Sequence, residues 1–466
     1  MTAPEATPEI EFYEDTSADD RAFLGHPKGL GYLAFVEGCE RFSYYSMQTL
    51  LVLYMVKYLL LPENVGQVIG LAWLRSVHYQ GLDGQPLSSA IFGDYASLVY
   101  LTPVLGGLIA DRWLGRRATL IAGGIVMSFG HFLMAFESLF LPALLSLIVG
   151  VGLFKGNIAS QVGELYGPND LRRAMAFQIF YIAINISVII APLIAGTAGE
   201  TLGWHYGFGA AGVVMVFGLV LYLKAGPWLP TGQTRSQHAQ RSATAARLTR
   251  SDLPRLAVLL LLVPILGIAM LTNQEIFNAY LVWADDKFAL TFFGIKLPTT
   301  WMITIDAVSA FSMLVGVAWF WNWRHEVTGR EPDELGKIVI GSVFTVIGGM
   351  CLVIAAATAP GDARIGLLWP VLFHFFNSIG FAHLLPVSLA LFTKIAPKAL
   401  NATIVGIYYL SFFLANKAVG TVGGWYSSMD TVNFWLLHVA SAVFSLLAFA
   451  AIKIFLGKTL AGVSAN

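Results

Sequence analysis

The chain has 466 residues, 56% of them hydrophobic and only 12% charged, with 28 basic residues against 28 acidic ones. A soluble domain of this size carries about twice that charged fraction to cover its surface, so a soluble enzyme and a receptor built of soluble domains are both excluded. The net charge of zero offers no basic field to nucleic acid, and the two cysteines, Cys39 and Cys351, lie in apolar stretches and supply neither a disulfide framework nor a zinc site.

The first 28 residues form a polar tail that carries Glu5, Glu9, Glu11, Glu14, Asp15, Asp19 and Asp20. It has neither the basic start nor the apolar middle of a signal peptide. Apolar runs long enough to cross a bilayer follow at 29–58, 91–110, 119–136, 142–162, 175–196 and 206–223. A second set lies at 256–284, 299–323, 338–359, 365–395, 403–424 and 432–456. Between the sets, a stretch rich in Ser, Thr, Ala, Gln and Arg is too polar to span. The expected architecture is therefore an all-α polytopic membrane protein with twelve transmembrane helices in two six-helix bundles. Their bounds are 29–224 and 256–456, joined by a cytoplasmic linker at 225–255 and followed by a short cytoplasmic tail at 457–466. The loop from Pro62 to Pro86 is long enough for a short surface helix.

Lysine and arginine set the expected orientation. With the N-terminus inside, roughly twenty basic residues face the cytoplasm and about five (Lys57, Arg75, Lys287, Lys296 and Arg364) face outward. Both termini are then cytoplasmic. A transporter assembled from two such bundles places its substrate site at their interface near the midplane.

Ionisable residues within spans carry the functional signal, because each costs roughly 2.5–3.5 kcal/mol at the centre of an isolated helix. In span 1, Glu37, Glu40, Arg41, Tyr44, Tyr45 and Gln48 share one helical face. Two acids and an arginine cannot face lipid; they serve a structural ion-pair network or, the better reading, a polar substrate or proton path. Lys155 in span 4 needs an acid or an anion, and Glu37 and Glu40 are the obvious candidates. Span 5 places Gln178, Tyr181 and Asn185 on one face. Span 7 carries Gln274, Glu275 and Asn278, span 8 carries Asp306, and span 10 carries His374, Asn377 and Phe381. A lone Asn or Gln in a span is more often helix–helix glue than a ligand. Lys417, at the end of span 11, reads as snorkelling, and for His374 and His383 structural and functional roles stand level. Gly457-Lys458-Thr459 lacks the first glycine of a phosphate loop, and no metal-ligand pair or nucleophile elbow occurs. No catalytic residue, cofactor or metal is expected. Transport is then passive or driven by an ion gradient.

Glu37-x-x-Glu40-Arg41-Phe42-x-Tyr44-Tyr45 resembles the ExxERFxYY motif of the proton-dependent oligopeptide transporter family within the major facilitator superfamily. Similar matches occur at Gly106–Gly115, at Phe180-Tyr181 with Ile184-Asn185, at Gly329–Pro332 and at Thr393–Pro397. The resemblance implies alternating access and inward carriage of di- and tripeptides with protons across a bacterial inner membrane, with the proton as coupling ion and the chain acting as a monomer. It places Arg41, Tyr45 and Lys155 on the substrate carboxylate, Tyr100 and Asn185 on its backbone, and Glu37, Glu40, Arg41, Lys155 and Glu275 in proton coupling. Gln274, Asn278, Asp306 and Phe381 would line the rest of the site, and Gln48 with Gln274 would form the outer gate. Several positions depart from the family pattern. Phe381 stands where span 10 usually has a glutamate for the peptide amino group, and Asp306 replaces an asparagine. Gln274 replaces a glutamate, Gln48 its arginine partner, Ser187 a glycine and Gly156 a proline. The carboxylate end of the site is family-like and the amino end is rebuilt. The leading expectation is a proton-coupled symporter of peptides or peptide-like carboxylates. The alternative uses the same fold for a non-peptide small anion or amino-acid derivative.

Overall fold

The computed structural model describes residues 20–167, 170–230, 249–397 and 403–461. The expectations for most of the N-terminal tail, for 231–248 of the linker and for the last five residues fall outside them. In chain order the long helices are α1 (Lys28–Tyr54), α2 (Gly84–Ile109), α3 (Arg116–Leu133), α4 (Phe140–Glu164), α5 (Arg172–Ala191) and α6 (Trp204–Lys224). The second half supplies α7 (Leu253–Ala269), α8 (Trp301–Thr328), α9 (Glu334–Thr358), α10 (Leu368–Ile395), α11 (Ile404–Gly424) and α12 (Thr431–Ala461). Among the described residues the only strands are a two-residue pair, Thr291–Phe292 and Ile295–Lys296, in the loop before α8. The loop after α1 holds short helices at Pro62–Val65 and Leu71–Val77.

Among the described residues nine helices are long and apolar enough to cross a membrane, and a tenth qualifies as a bent pair. The two remaining expected spans fall short for local reasons. The apolar run of α1 is interrupted by Glu37, Glu40, Arg41 and Gln48, and α3 opens on Arg116 and Arg117. Span 7, expected as one run, is broken: α7 ends at Ala269, and Leu271–Phe277 leaves it at 46°. The chain then resumes as a helix at Ala279–Lys287. The second break follows from side chains that satisfy freed backbone groups, since Ala279 N–H donates to Glu275 Oε1 at 3.2 Å.

In the first half α1 lies between α5 and α6, while α3 packs on α4 and α6. One core cluster runs through this half. The second half is built around α9, which packs on α10 and α12, and it holds two clusters, one at either end. Ser187, on α5, donates its hydroxyl to the Gly38 carbonyl of α1 at 2.8 Å, so the residue in the glycine's usual place bridges the crossing.

The halves meet most tightly where α2 crosses α11. A Cβ on Gly93 would lie 2.5 Å from the Gly420 Cα and 2.8 Å from the Asn416 carbonyl oxygen. Both obstacles are backbone, so no side-chain adjustment could relieve them. This crossing lies at the distal end of the bundle, where α1 finishes and α2 begins. Further links between halves gather there. Lys57 pairs with Asp285 at 2.8 Å, Gln85 donates to the Gly423 carbonyl at 2.9 Å, and Lys417 pairs with Asp94. Glu200 accepts the backbone N–H groups of Thr299 and Thr300 at 2.9 and 2.8 Å, anchoring the start of α8 to the first half. Lys417 thus reaches an acid of the opposite half rather than snorkelling. At the terminal end, where α1 begins, the ion pairs Arg116–Glu164, Lys394–Glu334 and Lys453–Asp333 each stay within one half. A Gly93→Val substitution should force α2 and α11 apart at the distal end. Spin labels at Leu82 and Ser428 should then lie several ångströms farther apart than in the unsubstituted protein; an unchanged distance would mean that this crossing does not hold the end closed.

Candidate functional site

The helical spacing of α1 brings Glu37, Glu40 and Arg41 together, and all three are buried. Glu40 is fully buried and grips the guanidinium with both oxygens: Nη2 donates to Oε1 at 2.7 Å and Nε donates to Oε2. Glu37 Oε1 stands 3.3 Å from the same Nε, while Glu37 Oε2 is buried without a hydrogen-bond partner. The guanidinium carbon lies 4.9 Å from the Tyr44 ring centre.

Lys155 does not pair with these acids. Its ammonium lies in a cage of rings, 4.7 Å from Tyr100, 5.7 Å from Tyr409 and 6.0 Å from Tyr44. Among the described residues no carboxylate is within ion-pairing distance of it, because Arg41, on the same helix as both glutamates, occupies them. Their charges still act on Lys155 at longer range. The cage spans both halves: Tyr100 on α2 stacks on Phe412 of α11 at 4.7 Å, and Tyr409 belongs to α11. Tyr45 completes this face, 5.1 Å from Tyr44 and 6.4 Å from Phe277. Asn185 is half-buried and bonds the Tyr181 carbonyl of its own helix at 2.8 Å. It shares an open face of α5 with the exposed Gln178 and Tyr181.

The second half contributes Asp306 on α8, whose Oδ1 lies 3.0 Å from His374 Nδ1. Tyr45 stands within electrostatic range of Asp306 as well as of Glu37, Glu40 and Arg41. Phe381 is half-buried on α10.

Four expected site residues depart from their expected roles. Glu275 is fully buried with its Oε2 3.4 Å from His438 Nε2 on α12, so it faces the interior of the second half rather than the central cluster. Asn278 accepts from Ser89 Oγ at 2.8 Å and donates to the Val419 carbonyl at 3.0 Å, which spends its amide on fastening α2 and α11. Gln274 Nε2 bonds Asn273 at 3.2 Å and Gln48 Nε2 is buried without a partner, so these two amides do not form the expected gate bond. The closure at that end rests on the Gly93 crossing, the Glu200 anchor and the cross-half ion pairs instead. Neutral amides have less to gain from facing each other across a moving interface than opposite charges do.

Sequence reasoning missed Tyr409, Tyr280, Glu200, Asp94 and His438. Asp94, Glu200 and His438 carried a signal, as ionisable residues within or at the end of apolar runs. The free cysteines are buried. A cavity of about 410 Å³ at the distal end, lined by His78, Asp94, Lys417 and Trp425, lies apart from the charged cluster.

A bundle with this charge cluster between two helical halves defines a multi-pass membrane transporter, and comparison with known proteins agrees. A family model described as "POT family" matches residues 117–252. The peptide transporter YePEPT of Yersinia enterocolitica is 28% identical, covering 87% of this chain and 89% of its own length. A di-/tripeptide transporter of Lactococcus lactis is also 28% identical, covering 91% of this chain and 94% of its own. A crystal structure of a single-site mutant of peptide transporter POT in complex with alafosfalin superposes with a TM-score of 0.80 at 26% identity, covering 95% of this chain and 98% of that one. The fold is that of the POT transporters, of the major facilitator type. The chain is thus similar to POT family proteins along most of its length, and the matched relatives are transporters, not enzymes.

The two cations make opposite predictions. Arg41→Ala strands two buried carboxylates and should cost about 3–5 kcal/mol of stability. Lys155→Met strands none, so its melting temperature should stay near that of the unsubstituted protein while affinity for carboxylate ligands falls at least about tenfold. Thermal denaturation with and without ligand separates the two; equal destabilisation would show that Lys155 has a structural acid partner after all.

Proposed function

We propose that the chain is a proton-coupled symporter that imports di- and tripeptides, or peptide-like small carboxylates, by alternating access. The observation that carries this reading is Lys155: a cation in an aromatic cage between the two halves, with no carboxylate of the chain within ion-pairing distance among the described residues. A substrate carboxylate docked there would gain a charge-assisted contact from Lys155 and draw on the neighbouring Arg41 fork. Tyr45, Tyr100 and Asn185 offer polar groups to the rest of the molecule, and Asp306 is the acid available to its amino group. The matched Yersinia and Lactococcus proteins are peptide transporters by name, and the superposed structure holds alafosfalin, which favours substrates of this class.

Proton coupling resides in the Glu37–Glu40–Arg41 group. Glu37 is the acid with a spare oxygen, and a proton on it loosens its hold on Arg41. That frees the guanidinium to meet a substrate. With both termini cytoplasmic in an inner membrane, the distal end faces outward, and the contacts gathered there describe an outward-closed state. The chain works as a monomer, since both walls of the site come from one polypeptide.

A second reading is favoured by Phe381, which offers no charge on α10 to an ammonium group. In it the chain carries a non-peptide anion or an amino-acid derivative, with weak coupling. Reconstitution into liposomes decides. An inward proton gradient should accumulate labelled dialanine, Glu40→Gln should abolish accumulation while sparing counterflow exchange, and Glu37→Gln should do the same. Unchanged uphill transport in both variants would remove the coupling assignment. Uptake of simple carboxylates without dialanine would establish the second reading.

A further inference from the structure

Asp306 belongs to a chain of three side chains from three helical segments. Its Oδ1 lies 3.0 Å from His374 Nδ1 on α10, and His374 Nε2 lies 2.7 Å from the hydroxyl of Tyr280, which follows the break after α7. A neutral imidazole satisfies both contacts in one way: Tyr280 O–H donates to Nε2, and Nδ1–H donates to the carboxylate. His374 is wholly buried, with the Phe373 and Tyr280 rings 5.0 and 5.3 Å away, so the ring has no room to swing. The Asp306 side chain keeps 14% of its surface exposed. Its second oxygen has no hydrogen-bond partner among the described residues and is not among the buried unpaired atoms. One oxygen is therefore fixed from behind and the other is left for something else.

We propose that His374 and Tyr280 are positioning residues for the amino end of the site. They hold Asp306 so that its free oxygen meets a substrate ammonium, making the transporter selective for free N-termini despite Phe381. The inference rests on the reading that peptides are substrates. A carboxylate fixed by a donor behind it does not have to be ordered when the ligand arrives, so less of the contact energy is lost. The arrangement also explains why a buried histidine lies beside an acid that would otherwise stand alone on α8.

Isothermal titration of the full chain with dialanine and with N-acetyl-dialanine tests this. Unsubstituted protein should prefer the free dipeptide at least about tenfold. His374→Phe should erase that preference by weakening dialanine alone, and unchanged binding of the acetylated ligand shows that the variant is folded. His374→Gln, which keeps an N–H for Asp306, should retain most of the preference. In an Asp306→Asn background His374→Phe should add nothing further. Retained preference in His374→Phe, or additive losses in the double variant, overturns the proposal. Equal affinity of the unsubstituted protein for both ligands overturns it while leaving carboxylate transport standing. Binding of neither ligand takes the peptide reading down with it.

Discussion

The structure turns on a guanidinium that cannot shed its charge. Arginine stays protonated in any protein environment, so placing Arg41 inside a membrane bundle requires anionic partners, and α1 supplies both within one helical turn. With both carboxylates ionised, the group carries one negative charge in excess, one cation against two carboxylates. Lys155 balances it only at longer range, through the tyrosine cage rather than by contact. In the proposed cycle a proton and a substrate carboxylate enter with opposite charges, so each compensates the electrostatic cost of the other. Two ligands that improve each other's binding in this way are coupled reciprocally. In that proposed cycle, symport would follow from charge balance in a low-dielectric site, without any need for a direct contact between proton and substrate.

Alternating access needs a second ingredient, an interface that holds in one state and yields in the other. The distal contacts have that character. The Gly93–Gly420 crossing is backbone against backbone, and such close approach is driven by packing that is lost once the helices separate. The Lys57–Asp285 and Lys417–Asp94 pairs are partly exposed, so each contributes modestly and its members can return to water when parted. Glu200 on two backbone N–H groups is a cap shared between halves. In the proposed cycle, many modest contacts would make a gate that closes firmly in aggregate, yet leaves no single buried charge stranded when it opens.

Much of this was legible in the sequence because the bilayer imposes strong rules. Span positions follow from apolar run length, and the face of α1 follows from helical spacing. The polar face of α5, with Gln178, Tyr181 and Asn185, was also readable from its period. What could not be read was the choice of partner. Spacing places Glu37 and Glu40 near any cation that enters the bundle, but it cannot say that Arg41 takes both and leaves Lys155 to tyrosines. Glu275 and Gln274 are adjacent in sequence, yet a break in the helix sends the glutamate toward His438, and no proline or glycine at the break announces it. Asn278 illustrates the general difficulty: an amide inside a span can line a site or bind two helices together, and only the position of Ser89 and the Val419 carbonyl decides.

The uneven rebuilding of the site has its own logic. At the proposed carboxylate end, Arg41, Lys155 and their tyrosines depend on one another, so a change in any one leaves a charge or an aromatic cage without its counterpart. That interdependence resists substitution. The amino end hangs on single acids, and an acid can be moved provided something holds it. Phe381 puts an apolar ring on α10, where the family resemblance would place a charge, while Asp306 on α8 comes with His374 behind it, itself from α10. The helix with the apolar ring thus still takes part in the polar contact, one step removed. An acid introduced without such support would face either an unpaired buried oxygen or an unordered side chain, and both weaken recognition. The histidine is what makes the displaced acid physically workable.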